Sequence, residues 1–390
     1  MEVYRTQLAL AVFGEPWPQL NEGLLYNDVV SPSDSKLTLI EFYSTKHKNS
    51  APLQGWLQRI QNGQITVDGR VVNDPNIILS AGSELVYHRL PWKEPDVPYL
   101  LEVFYEDDDL IALNKPSGLQ VLPGGLFQQR TVLKQLQWRA SKQSSSLSSQ
   151  ASHPVPVHRL GRGTSGILLC AKTKLAKTCI AAYFADKTSV VDADNTVMEL
   201  SQRKITKIYR ALVHGIVDED KVIIKQPIGI VRYPGVAKGL YVASPSGKPA
   251  LSKVDVLERD VQRNCTLVQQ VEIQSGRPHQ IRIHLAFLGH PLLGDPLYVA
   301  GGQPKSFDSE FADGTFAQDG GYERPVNPVP GDCGYYLHAY QLFLSHPTTN
   351  EVIKITAPLP SVLKTREEGR EVDKSVGSER IRGIHIDSLP

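Results

Sequence analysis

The sequence predicts an α+β protein: a small helix-and-hairpin unit followed by a larger domain in which strands outnumber helices. Two observations carry this. Runs of β-branched and aromatic residues, bounded by glycine or aspartate, recur along the chain, whereas helical spacing is confined to short stretches. A nine-residue segment with three prolines, "PWKEPDVPY" at 91–99, separates two parts of different character and reads as a stiff linker. At 390 residues the chain is too long for one small core.

The elements follow in order. Residues 1–36 are weakly patterned and read as an irregular arm. Leu53, Trp56, Leu57 and Ile60 recur at helical spacing, and Gly63 is a natural stop. "ITVDGRVV" is two short runs joined by Asp68-Gly69, a hairpin signal, and "SELVYHRL" is a further strand. This unit spans 37–90. Beyond the linker, strands are expected at Leu110–Leu113, in "GILLCAKT", at 207–215 and at 266–273. A helix follows "GILLCAKT" through Ala181. Another is expected in "GRPHQIRIHLAFLGHP", with Ile281, Leu285 and Leu288 on one face and Gly289 as its end. The stretches 141–152 and 313–334 read as loops. The tail from Lys364 has six basic and six acidic residues with little apolar pattern, and reads as disordered over 364–390.

Composition excludes several classes. The hydrophobic share of 41% and the charged share of 21% are ordinary for a globular protein, and the net charge is only +1. A nucleic-acid site must therefore be a local patch. No apolar run is long enough for a membrane span. Cys170, Cys179, Cys265 and Cys333 lack metal-ligand or disulfide spacing, so no metal is expected and a reducing compartment fits. The N-terminus, with Glu2 early, fits cytoplasm or nucleus best and leaves an organelle open. A monomer is expected, since no coiled coil or exposed apolar face stands out.

Four segments bring cations beside glycines or strand ends. They are Lys115; the loop "HRLGRGTSG" with His158, Arg159 and Arg162; Arg203, Lys204, Lys207 and Arg210; and Arg277, His279 and Arg282. The third reads equally as a protected strand edge. The fourth is more pointed, because cations at a helix N-terminus oppose its dipole and suggest a task other than stability. Tyr209, among the cations of the third segment, could stack on a base while its neighbours hold phosphates, and is equally an ordinary strand residue.

These residues resemble a known family. "HRLGRGTSGILLCAK" resembles the signature loop of RluA-type RNA pseudouridine synthases, and "NKPSGLQVLPG" (Asn114 to Gly124) its first motif. "KIYRALVHG" is similar to its Lys-x-Tyr strand, and "SGRPHQIRIHLAFLGHPLLGDPLY" to its Gly-Arg-x-His-Gln-Ile-Arg motif and following Gly-Asp turn. "LHAYQLFLSHP" and "APLP" resemble the end of that catalytic domain, expected here over 100–363. The unit at 37–90 is similar to an S4 RNA-binding domain, and the glycine-containing loop looks like a plant branch of the family. The resemblance implies a mixed, largely antiparallel sheet with helices and a cationic RNA cleft. It implies that uracil is detached from C1′ of a uridine in ribosomal or transfer RNA, turned, and reattached through C5, without cofactor or metal. Tyr209 matches the aromatic expected on the target uracil, Arg282 the arginine paired with a catalytic aspartate, and Arg159 the loop arginine near the flipped-out nucleoside. His158, Arg162, Lys115, Arg277, His279 and Lys207 complete the expected RNA contacts.

The match departs at one position. The family's signature-loop aspartate falls on Gly161, which has no side chain to act at the ribose, and Arg282 is thereby expected to lack its carboxylate. Another carboxylate could replace it, with Asp107, Asp108, Asp109 and Asp295 as candidates. The chain could instead be an inactive RNA-binding or chaperone relative, or hold an unrelated ligand.

Overall fold

The computed structural model describes residues 11–48, 50–143, 153–189, 205–233, 236–273, 276–306, 316–325 and 332–370. Its centre is a mixed, largely antiparallel sheet. The strands run Ala11–Phe13, Leu101–Glu106, Leu110–Lys115, Ser165–Ala171, Leu337–Ser345, Ile205–His214, Cys265–Ile273, Ser252–Asp260 and Lys221–Ile224. Val352–Thr356 and Val155–Pro156 pair beside this path. The contact of Ser165–Ala171 with Leu337–Ser345 is parallel, and the other pairings along the path are antiparallel. Leu110–Lys115 and Ser165–Ala171 are buried on both faces, which explains why they read as continuous apolar runs.

Register decides what the sheet positions. Lys115 lies opposite Gly166, Gly166 beside Ala339, and Ala339 beside Tyr209. The loop after Lys115, the loop before Ser165 and the segment before Leu337 therefore meet at one end of the sheet. Gly166 has φ +99°, and a β-carbon there would collide with the Ala339 carbonyl oxygen, so the last glycine of the signature loop is needed for the two strands to approach.

The small unit is a four-stranded antiparallel sheet, ordered Leu24–Val29, Glu84–Arg89, Ile65–Val67, Arg70–Val71, with helices Leu39–Lys46 and Leu53–Gln61. The first helix opens on a capping box in which Thr38 and Glu41 satisfy each other's backbone N–H. The second buries Trp56 and Ile60. Asp68 and Gly69, both at positive φ, make the expected turn. A hairpin, Phe316–Gln318 with Glu323–Pro325, grips this unit. Gln64 Nε2 donates to the Gly320 carbonyl at 2.7 Å, and Arg89 pairs with buried Asp319. Arg59 lies 3.8 Å from the same carboxylate, against the rings of Trp56, Tyr87 and Tyr322.

Several expectations are corrected. The arm is not irregular throughout. Ala11–Phe13 joins the main sheet, and Leu24–Val29 edges the small one, which therefore begins before residue 37. That edge strand leaves Leu25 and Val29 exposed, so it carries no alternating signal. The stretch 91–99 is not a free linker: Trp92 and Glu94 are buried. Glu94 accepts from Asn21 and from the backbone N–H groups of Gln128, Gln129 and Arg130. Residues 364–370 are ordered, with Glu368 bound to Arg210 at 2.8 Å. Arg210 is thus held by the chain itself. Arg203, Lys204, residues 371–390 and most of the serine-rich stretch lie outside the described residues.

Candidate active site

Arg282 organises the site. It sits on the helix Gln280–Phe287, almost every residue of which is buried. Its Nε and Nη2 each bind Asp295 at 2.8 Å, a two-pronged pairing, and Nη1 binds Asp332 Oδ1 at 2.9 Å. The guanidinium lies 4.3 Å from the Tyr335 ring centre and 5.0 Å from that of Tyr298. Asp295 also accepts from the Leu297 and Tyr298 backbone N–H groups. The expectation that Arg282 lacks a carboxylate is therefore wrong. A turn just after the helix and a loop fifty residues on supply carboxylates, and these paired charges hold Arg282 protonated despite its burial.

The signature loop closes on this centre through Tyr335. A β-carbon at Gly161 would stand 3.0 Å from the Tyr335 hydroxyl and 3.3 Å from Thr164 Oγ1. Tyr335 Oη and Thr164 Oγ1 are 3.2 Å apart. The segment carrying Asp332 also packs on the loop: a β-carbon at Gly163 would meet the Asp332 carbonyl oxygen at 2.6 Å.

Other expected site residues are placed differently from one another. Lys115 is fully buried, so it is no phosphate contact. Its ammonium donates to the carbonyls of Pro116, Leu119 and Arg162 at 2.8, 2.8 and 3.1 Å and ties the first motif to the signature loop. Burial pulls its pKa down to about 7. His158 is also structural. Its Nε2 accepts from the Leu169 N–H at 3.0 Å, and burial keeps the ring neutral. His279 caps the Arg282 helix in a left-handed conformation (φ 56°). It is bound to the Tyr298 hydroxyl at 2.9 Å, and burial and then Arg282 push its pKa down. The helix N-terminus thus carries no cluster of three free cations. Arg282 is buried and paired, His279 is neutral at pH 7, and Arg277 alone remains half-exposed there. Arg159 is exposed, and Arg162 lies 5.1 Å over the Phe127 ring. Lys207 Nζ is 4.2 Å over the Phe184 ring. Tyr209 is buried beside a strand irregularity and lines a small cavity with His158, Ile167, Lys207 and Gln341.

Sequence reasoning missed Asp332 and Tyr335. Both follow a proline- and glycine-rich stretch and carry no periodic signal; "DCGYY" immediately before a buried strand was the available clue. Among the described residues no group of three or more His, Cys, Asp or Glu side chains could hold a metal. Likewise no described helix is long and apolar enough to cross a membrane.

Two fully buried histidines make stability depend on pH. His284 bridges Ser252 and the Gln226 carbonyl, each at 2.8 Å, and His338 binds Ser165 Oγ at 2.8 Å. Burial pushes both down to about 4, from 6.5 when exposed. The unfolded chain takes up protons below pH 6.5 that the folded chain refuses. Stability is therefore full above 6.5 and falls as pH drops toward 4, by up to about 1.4 kcal/mol per pH unit per histidine. Urea midpoints should fall from pH 7 to pH 5, and His284→Gln should flatten that slope. An unchanged slope in the variant would contradict this assignment.

The sequence matches a class of RNA-modifying enzymes. The family model described as RNA pseudouridylate synthase matches residues 109–287, which hold the first motif, the signature loop, Tyr209 and Arg282. The chain belongs to the RNA pseudouridylate synthase family. It is 70% identical over 361 residues to a protein named RNA pseudouridine synthase 5 of Arabidopsis thaliana, covering 91% of this chain and 98% of that one. It is 64% identical over 379 residues to the protein of the same name in Oryza sativa subsp. japonica, covering 95% of each. A ribosomal large subunit pseudouridine synthase D of Vibrio vulnificus is 31% identical over 313 residues, covering 79% of this chain and 82% of that one. The solved structure of human RNA pseudouridylate synthase domain containing 1 aligns over 74% of this chain and 97% of that one, at 23% identity and a TM-score of 0.44.

Proposed function

We propose that this chain isomerises specific uridines in RNA to pseudouridine. The observation that carries the reading is the Arg282 centre beneath the signature loop, in a chain 70% identical to a protein named RNA pseudouridine synthase. The reaction breaks C1′–N1, turns the uracil, joins C5 to C1′, and exchanges the C5 proton for one on N1. The target nucleoside leaves its stack, at a cost of about a few kcal/mol. Tyr209 takes the face of the displaced uracil, and the more exposed Arg159, Arg162 and Arg277 hold flanking phosphates. The S4-like small unit, gripped by the 316–325 hairpin through Asp319, adds a second RNA contact. The substrate is ribosomal or transfer RNA, and the chain acts as a monomer.

Carbodiimide mapping of cellular RNA incubated with the purified chain tests this. New pseudouridine stops at defined positions are expected, with binding that weakens steeply as salt rises. RNA bound without any new stop would contradict it.

A further inference from the structure

Detaching uracil leaves positive charge developing at C1′, and a carboxylate on that face stabilises or captures it, as in glycoside cleavage. Such a carboxylate must be ionised, oriented, reachable by a ribose, and placed against the signature loop. Gly161 cannot supply it. Resting on the proposed activity, we infer that Asp332 does.

The other carboxylates considered are unsuited. Asp295 has a fully buried side chain, and its oxygens are occupied by Arg282 and two backbone N–H groups. It is an anchor. Asp107, Asp108 and Asp109 precede Leu110, which pairs with Ala171, whereas the signature loop meets the same strand at its far end, where Lys115 pairs with Gly166. A strand of that length spans about 17–20 Å. Asp107 and Asp109 are also engaged there, by Leu110 and His346 and by Thr173 respectively.

Asp332 meets each requirement. Its side chain is 40% exposed, so a ribose can reach it. Oδ1 is fixed by Arg282 Nη1 at 2.9 Å, and among the described residues Oδ2 has no hydrogen-bond partner. Its backbone packs on Gly163, and three residues later the Tyr335 hydroxyl takes the space beside Gly161. The segment 332–335 thus fills the gap left by the missing side chain and brings its own carboxylate to the same arginine. Arg282 is the positioning residue and Asp332 the catalytic one.

The step balances without any co-reactant beyond water. Asp332 Oδ2 bonds to C1′ as C1′–N1 breaks, and the bonding pair leaves with N1. After the uracil turns, C5 attacks C1′ and the C1′–O bond breaks, returning its pair to Asp332. The C5 proton passes to solvent, and N1 takes one up.

The test uses the full chain, single-turnover rates on an RNA whose modified position has been mapped, and RNA affinity measured separately. Asp332→Asn keeps the shape and an acceptor for Arg282. Its rate is expected to fall by about 10³-fold or more, with KM and RNA affinity unchanged. Adding Gly161→Asp in that background returns a carboxylate to the loop, with the Tyr335 and Thr164 hydroxyls giving way by a few tenths of an ångström, and is expected to restore turnover. An Asp332→Asn rate above one-hundredth of wild type overturns the assignment and leaves the proposed activity standing. A folded wild type that binds RNA and makes no pseudouridine overturns both.

Discussion

Replacing Arg282 by methionine is expected to cost about 3–5 kcal/mol of stability, because it strands a buried carboxylate. Asp295 has a fully buried side chain and would keep only the Leu297 and Tyr298 N–H groups. The rings of Tyr298 and Tyr335 would still pack on the methionine stem, so the loss is electrostatic rather than one of volume. Arg282→Lys should fall between wild type and Met, since an ammonium cannot reproduce the two-pronged bond. Arg282→Met with Asp295→Asn should recover part of the loss, because the second change removes the stranded charge. Urea unfolding of the four proteins checks this. A single-variant loss below about 1 kcal/mol would mean that water reaches Asp295 and the centre is not closed.

Asp319→Ala is the second large effect, and it should be local. Arg59 is fully buried and Arg89 nearly so, and both lean on this one carboxylate from the 316–325 hairpin. Burial already lowers the Arg59 pKa, and no other carboxylate pairs with it among the described residues. Stranding two guanidinium groups is expected to cost about 3–5 kcal/mol. The loss should appear as faster amide exchange across 24–89 and the hairpin, while strands such as Leu110–Lys115 keep their protection. Faster exchange spread evenly over the main sheet would contradict an effect confined to these ion pairs.

Much of the fold was legible because the buried strands and the Trp56 helix carry strong local patterns. Leu110–Lys115 and Ser165–Ala171 are apolar on both faces, and Asp68-Gly69 makes its turn from local chemistry alone. The ordered motifs pointed to the sheet end where the loops meet. Pairings between distant loops were not legible. Arg282 with Asp332, Arg59 and Arg89 with Asp319, and Glu94 with the 128–130 backbone each join residues more than thirty apart. Charge alone also misled. Lys115, His158 and His279 look like anion ligands in the sequence, yet burial turns the first into a loop anchor and the other two into neutral hydrogen-bonding groups.

Without an aspartate at 161, this chain is expected still to break and remake the bond between uracil and ribose at the Arg282 centre. RNA carrying uridine tritiated at C5 tests it most directly, because C5 must lose its hydrogen when it joins C1′. Wild-type chain is expected to release tritium into water, one equivalent for each pseudouridine formed, and Arg282→Lys to release it far more slowly. Tritium retained in full by RNA that the wild-type chain demonstrably binds would contradict it.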